Sequence, residues 1–331
     1  MRISIVVPLY NKERYVTRAL RSIEAQTMTD FEVIVVDDGS TDGSVAAASS
    51  VRDSRFRIIS QPNGGPGAAR NRGATEARSD VLAFLDADDE WLPHFLEHAL
   101  ETLERGGTAA AVVGYRHLPS GRSTAPLWRR RGLTDGVTRI TAATPPDLVV
   151  SLVAYMSPWS TVIRKETFHQ LGGFCAVPGV KYAEDAHLWL RLVFNEPIAV
   201  SVEPPCALYH TEASDLTAPR RAARPIEPFL VDPRPIEQVC PPELRPLLGE
   251  VLARRACKTA AVLGYWGRWR EARALAQRFP APARWRSRYY PAALVASTPL
   301  APPLGWVVRK GLSLIRLLGS THRGPGALEW R

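Results

Sequence analysis

Cysteine is scarce and scattered. The four present, Cys175, Cys206, Cys240 and Cys257, form no CxxC pair, which argues against a zinc site or a disulfide framework and suits a reducing cytoplasm. No uninterrupted apolar run reaches the ~20 residues that a membrane-spanning helix requires. The apolar start at residues 3–8 is too short for the core of a signal peptide and lacks a cleavage site, so it reads as a first strand. Two phosphate-binding signatures are also missing. No G-x-x-x-x-G-K-[ST] occurs, which excludes a P-loop. After Gly65-Pro66-Gly67 the last glycine of G-x-G-x-x-G is replaced by Arg70, so the dinucleotide fingerprint is not matched.

What is present is an ordinary globular composition. The 331 residues suffice for one large domain or two smaller ones, with 45% hydrophobic and 23% charged residues. The net charge of +9 is unevenly spread: from Asp215 onward there are 20 Lys/Arg against 8 Asp/Glu. The front is therefore slightly acidic, which suits a metal-dependent site, and the back is basic, which suits an anionic surface.

Along the chain, residues 3–7, 31–36 and 56–59 read as buried strands. Between them, Tyr15, Val16, Ala19, Leu20 and Ile23 recur at helical spacing, and a second helix fits residues 45–50. That rhythm argues for right-handed βαβ units and a parallel sheet, with ligands at the carboxyl ends of the strands. Residues 81–85 are a further apolar run that leads straight into Asp86, Asp88 and Asp89. Two apart at a strand end, Asp86 and Asp88 are predicted to point to the same side. Clustered carboxylates are costly without a positive charge among them, and a divalent cation bound to phosphates suits the place. The competing reading is an acidic cap on a helix at Trp91-Leu92-Pro93. Asp37 and Asp38 at the end of another strand weigh against it.

The glycine-rich turn at residues 63–73 opens a helix, either to face a phosphate or because the loop needs positive φ angles. Residues 109–114 read as a strand, and 116–147 as an irregular, basic insertion near the site. Residues 159–164 form a strand running into a short helix. Glu184 and Asp185 start a helix through residue 192, where the dipole favours anions; for an isolated Glu-Asp a plain capping pair is the more common explanation. His210 follows strands at 199–202 and 206–209, and a lone histidine there is more often a buried structural residue than a ligand.

Together these segments resemble the family 2 glycosyltransferases, which have the GT-A fold. The series is V-V-P-L-Y-N at residues 6–11, F-E-V-I-V-V-D-D-G-S-T-D at 31–42, A-R-N-R-G at 69–73, F-L-D-A-D-D at 84–89, E-D at 184–185, and the late His210. The match covers about the first two thirds of the chain. The resemblance implies a Rossmann-like, mostly parallel α/β sheet flanked by helices, an inverting transfer from a nucleotide-diphosphate sugar, and a Mg²⁺ or Mn²⁺ cofactor. Pro8, Tyr10, Asp37 and Asp38 would line the nucleotide pocket, Asp38 accepting from a uracil or thymine N–H, so that a UDP- or dTDP-sugar is favoured. Asp86 and Asp88 match the D-x-D that holds the ribose and the metal, with Asp89 in support. His210 matches a late metal or phosphate ligand, and Arg70 would add positive charge. Asp185 matches the catalytic base, with Glu184 orienting it. Trp159 would contact the acceptor; Trp189 fits core packing at least as well.

The chain thus divides, by expectation, into a catalytic domain over 1–214 and an extension over 215–331. Residues 219–246 read as a Pro/Arg-rich linker and 247–279 as helical. Residues 304–318 are apolar, aromatic and basic together, which fits either an in-plane helix on an anionic inner membrane, suited to a lipid-linked acceptor, or a helix docked on the protein's own core. The acceptor would be a growing glycan or glycolipid, in cell-surface polysaccharide biosynthesis. A protein that binds a nucleotide sugar without turnover is the rival reading. Nucleic acid is not an expected partner, since the basic tail has no reader motif.

Overall fold

The structure, a computed structural model, describes residues 2–180, 182–213, 224–280, 295, 297 and 298. The expected membrane-surface segment at 304–318 lies outside the described residues. Two compact units are present. The first takes the chain through the catalytic motifs together with Glu227–Leu244, and the second resumes at Arg245.

The first unit starts with β1 (Ile3–Leu9), α1 (Val16–Glu24), β2 (Phe31–Asp37), α2 (Ser44–Ser49), β3 (Phe56–Ser60), α3 (Pro66–Glu76) and β4 (Val81–Phe84). Every residue of β2 and β4 is buried, the pattern of strands covered on both faces. α1 buries Val16, Ala19, Leu20 and Ile23 at the spacing of one helix face. β1 pairs in parallel with both β2 and β4, and β2 with β3. The carboxyl ends of β1, β2 and β4 therefore share one edge, and that edge positions the site. α3 lies hard against β1: a Cβ on Gly73 would come 2.3 Å from Val6 Cγ1.

Next come β5 (Glu90–Trp91), α4 (Phe95–Gly106), β6 (Ala110–Val113), β7 (Tyr115–Leu118), β8 (Arg122–Ser123), α5 (Ala125–Arg130), β9 (Gly136–Thr138), α6 (Pro146–Tyr155), β10 (Thr161–Arg164) and α7 (Lys165–Gln170). α8 (Glu184–Asn195), β11 (Ile198–Ser201) and β12 (Ala207–His210) follow. The main sheet has the order β3-β2-β1-β4-β10-β6-β11-β9, with β10 antiparallel to both its neighbours. A second sheet, β5-β12-β7-β8, stands beside it. α8 buries Leu188, Trp189, Leu192 and Val193, so Trp189 is a core residue.

Several expectations are corrected here. The stretch 116–147, expected as irregular, supplies two strands of the small sheet, an edge strand of the main sheet and α5. Its strands run only two to four residues, too short for a readable alternation. Residues 90–91 form a strand rather than the start of a helix. β4 ends at Phe84, so Asp86 and Asp88 lie in the following turn, closed by Asp89 N donating to Asp86 O at 3.0 Å. Strand alternation therefore does not set their directions. The expected linker holds α9 (Pro228–Val231) and α10 (Arg234–Val239), both packed on α8. The second unit contains α11 (Arg245–Tyr265) and α12 (Trp269–Arg278), packed on one another, as the helical periodicity predicts.

Candidate active site

Asp37 and Asp38 sit where β2 ends beside Leu9 of β1, with Asp38 N donating to Leu9 O at 2.8 Å. The two carboxylates differ. Asp38 accepts from Gly64 N at 2.9 Å, Gly65 N at 2.8 Å and Gln61 Nε2 at 2.7 Å. It ties the glycine-rich loop to the sheet edge, and both its oxygens are spent doing so. Asp37 accepts from Ser40 N through Oδ1, and its other oxygen accepts no hydrogen bond among the described residues. Tyr10, directly after β1, is 41% exposed.

The glycines of the turn have different reasons. Gly65 alone in the turn has a positive φ, at +89°, the left-handed side that favours glycine. Gly67 is small because a Cβ would meet Cys175 O at 2.1 Å. The close approach delivers α3, and Arg70 with it, beneath the loop.

Arg70 is the hub of the site. Its guanidinium is buried and donates from Nη2 to Asp86 Oδ1 at 2.6 Å and from Nη1 to Glu184 Oε1 at 2.8 Å. One side chain thus joins the turn after β4 to the first residue of α8, 98 positions apart in the chain from Asp86 to Glu184. Phe174 lies under it, 5.2 Å from ring centre to guanidinium carbon. The pKa of Arg70 is raised: burial opposes its charge, but Asp86 and Glu184 outweigh that.

Next to Glu184, Asp185 is pushed up to about 7, first by burial and then by the Glu184 charge, with Arg70 pulling the other way. The preceding Ala183 is held at φ +56°, uncommon for a residue with a side chain.

Asp88 and Asp89 are also raised, by burial first and then by their neighbouring carboxylates. Lys12 Nζ, 2.9 Å from Asp88 Oδ2, offsets part of this. Asp89 is buried and accepts from His210 N at 2.8 Å. The His210 ring sits between two carboxylates, Nε2 2.6 Å from Glu90 Oε1 and Nδ1 2.7 Å from Glu212 Oε1. Arg18 joins the group through Glu90 and the Asp88 carbonyl. Lys12, Arg18, Glu90 and Glu212 were not singled out from the sequence. Lys12 directly follows the V-V-P-L-Y-N segment, which was its one available signal.

Among the described residues no three His, Cys, Asp or Glu side chains converge as a metal cage. The chemistry of the donor set still fits a cation at Asp88. Two of the three neighbouring carboxylates, Asp88 and Asp89, are raised by burial and by mutual repulsion even with Lys12 facing Asp88 and Arg70 facing Asp86, so a further positive charge there would relieve that repulsion. His210 is different, since both its ring nitrogens already face carboxylates.

Trp159 precedes β10, beside the end of β4, and lies flat on Tyr209 of β12, ring centres 4.8 Å apart at 10°. The structure therefore brings Asp86, Glu184, Asp185 and Arg70 into one connected group. Asp88, Asp89 and His210 form a second beside it, and Asp37, Asp38 and Pro8 line the adjoining strand ends.

With this geometry, known proteins offer the comparison. The family described as glycosyl transferase family 2 matches residues 4–171, which is half the chain and includes every motif up to Trp159. The chain belongs to that family. The succinoglycan biosynthesis protein ExoW of Rhizobium meliloti is 44% identical over 111 residues, 31% of this chain and 34% of that one. EpsH of Bacillus subtilis is 42% identical over 102 residues, 30% of each. The chain thus spans about a third of the length of the curated relatives it matches. In fold, it resembles S. aureus TarS in complex with UDP-GlcNAc, at 20% identity and TM-score 0.70, over 98% of this chain and 93% of that one. It also resembles a mannosyltransferase of Pyrobaculum calidifontis bound to GDP-Man and Mn²⁺, at 17% identity and TM-score 0.51, over 95% and 80%. These likenesses agree with the GT-A architecture expected from the motifs. Asp185 and His210 lie beyond the matched family segment.

Proposed function

We propose that the protein is an inverting glycosyltransferase that moves a sugar from a nucleotide-diphosphate sugar to a hydroxyl of a growing glycan or glycolipid, in cell-surface polysaccharide synthesis. The observation that carries this reading is the Arg70 bridge. It joins Asp86, on the side that would hold the donor, to Glu184, next to a carboxylate whose affinity for protons suits a base at neutral pH. A carboxylate at its ordinary pKa would be a weak base for a sugar hydroxyl; at about 7, Asp185 is matched to the task.

In this reading Tyr10 stacks on the base, and the open oxygen of Asp37 accepts its N–H, since Asp38 is occupied in holding the loop. A uracil or thymine is the base that offers such a donor, in line with the UDP-GlcNAc held by the TarS neighbour. Asp86 receives the ribose, oriented by Arg70. Asp88 would hold a Mg²⁺ or Mn²⁺. His210 would join it by giving up its contact with the exposed Glu212. A divalent cation there supplies Lewis-acid stabilisation of the departing diphosphate. Lys12 lends a positive charge to the same carboxylate. Asp185 takes the proton from the acceptor hydroxyl as the oxygen attacks the anomeric carbon on the face opposite the diphosphate. Glu184 holds Asp185 in place and keeps its pKa high.

Measuring donor binding by calorimetry alongside transfer separates these roles. Asp185→Asn is expected to keep its affinity for a UDP-sugar while transfer falls by roughly 10²–10⁴. Asp88→Ala is expected to lose the Mn²⁺-dependent part of donor binding. Full activity in Asp185→Asn would overturn the assigned base.

A further inference from the structure

We propose that one face of the small sheet is the acceptor track, and that the acceptor is an anionic saccharide, one bearing carboxylate or phosphate groups. This rests on the glycosyltransferase reading above and names the substrate class for it.

In a sheet, residues paired across strands share a face. Tyr209 of β12 pairs with His117 of β7, and His117 pairs with Arg122 of β8. On the other side of β12, Leu208 pairs with Glu90 of β5. The next position in that antiparallel register sets Asp89 beside Tyr209, and Asp89 does accept from the neighbouring His210 N. The row Asp89, Tyr209, His117, Arg122 therefore crosses the sheet, from the buried acidic cluster to an exposed arginine. At the usual strand spacing it is about 14 Å long, room for a short oligosaccharide. Trp159 stacks on Tyr209, and the His117 ring meets Tyr209 edge-on at 5.5 Å. Trp159, Tyr209 and His117 are half-buried, so each keeps an accessible rim of the amphipathic kind that suits sugar rings.

The segment around that row is strongly basic. Arg116, Arg122, Arg129, Arg130, Arg131 and Arg139 are all exposed, and the one acid among residues 116–139 is Asp135. Asp135 is already committed, accepting from Val202 N at 2.7 Å. None of the six arginines makes an ion pair with a described residue. Elsewhere on the unit Arg2, Arg21, Arg55 and Arg72 each face a carboxylate. Arg14, Arg52, Arg78, Arg105 and Arg164 are exposed without an ion pair among the described residues but are scattered along the chain. What sets residues 116–139 apart is six exposed arginines against one acid. α5, which carries Arg129 and Arg130, is anchored to the same sheet face. Trp128 is buried against Tyr115, and Thr124 N donates to Tyr115 O at 2.9 Å. Unpaired guanidiniums next to aromatic rims fit a ligand that is both sugar and anion. An anionic membrane would call for apolar side chains beside the arginines. Val137 is the one exposed large hydrophobic residue described in this segment, so the saccharide is the better match.

The full-length protein can be titrated with four probes: a fluorescent oligogalacturonate, a phosphodiester-linked oligosaccharide, a neutral oligosaccharide of equal length, and phosphatidylglycerol vesicles. The variant is the quadruple change Arg122→Ala, Arg129→Ala, Arg130→Ala, Arg131→Ala. At least one acidic saccharide should bind about tenfold more tightly than the neutral one, and the variant should lose that factor. UDP-sugar binding in the variant should match the wild type. Equal affinity for acidic and neutral saccharides, an unaffected variant, or binding to vesicles alone would each overturn the proposal. Failure of the wild type to bind any UDP-sugar would instead defeat the glycosyltransferase reading and leave the saccharide preference to be judged on its own numbers.

Discussion

The edge of the main sheet and the face of the small sheet are built on opposite principles. At the edge, the charges are withdrawn from solvent and each has a fixed partner: Arg70 with Asp86 and Glu184, Lys12 with Asp88, Asp38 with three donors from its own loop. The buried strands β1 and β2, seven residues each, the shorter buried β4 and a helix touching β1 hold these groups. On the small sheet the strands are two to four residues long, and the arginines beside it are exposed and make no ion pair with a described residue. A group meant to act on a developing charge must be fixed in advance, and burying it costs enough that its partners must be fixed too. A surface that selects among acceptors needs neither constraint, and it can change without disturbing the core.

The most forceful way to break this comparison is Arg70→Met. It leaves Asp86 and Glu184 without their shared cation, and removal of one partner from a buried ion group costs about 3–5 kcal/mol. The denaturation midpoint should drop accordingly, and transfer with it. Unchanged stability would mean that the bridge is a ligand contact rather than part of the frame.

The pH profile is the next test. The proposed base, Asp185, would work when deprotonated, so kcat/KM should rise with pH and level off above about 7, the value to which burial and Glu184 push it. The Glu184 charge raises that pKa, so Glu184→Gln should move the midpoint to lower pH. A midpoint that moves to higher pH, or stays, would remove Glu184 from that role.

A smaller effect is expected from Gly73→Ala, which pushes one methyl into Val6 and should cost about 1–3 kcal/mol with the carboxylates of the site intact. The quadruple arginine variant, by contrast, should leave stability within about 0.5 kcal/mol, since surface changes rarely do more. A large loss there would erase the distinction between frame and surface.

Much of the sheet edge that carries Asp37, Asp38 and Asp86 was legible in the chain. The apolar runs of β1, β2 and β4, with acids after β2 and β4, announce buried parallel strands with polar ends, because burial on both faces leaves a continuous hydrophobic signal. The small sheet left no such signal. Its strands are too short to show a period, and its pairings join residues around 90, 116 and 208, far apart in sequence. The role of the glycines was half legible: their presence marks a turn, but whether a glycine serves a positive φ, as Gly65 does, or a close approach, as Gly67 and Gly73 do, depends on what packs against it.

By itself, the sequence determined the class of fold, the family, and the carboxylates available for chemistry, since these follow from local patterning and motif order. Only the tertiary structure decided which carboxylate is spent and which remains open. Asp38 is consumed by its own loop, Asp86 and Glu184 share Arg70, His210 lies between Glu90 and Glu212, and Asp185 is raised by what surrounds it. The reason is physical: a charge's pKa and partners depend on distances of a few ångströms in a low-dielectric interior, and those distances join residues that the chain keeps a hundred positions apart.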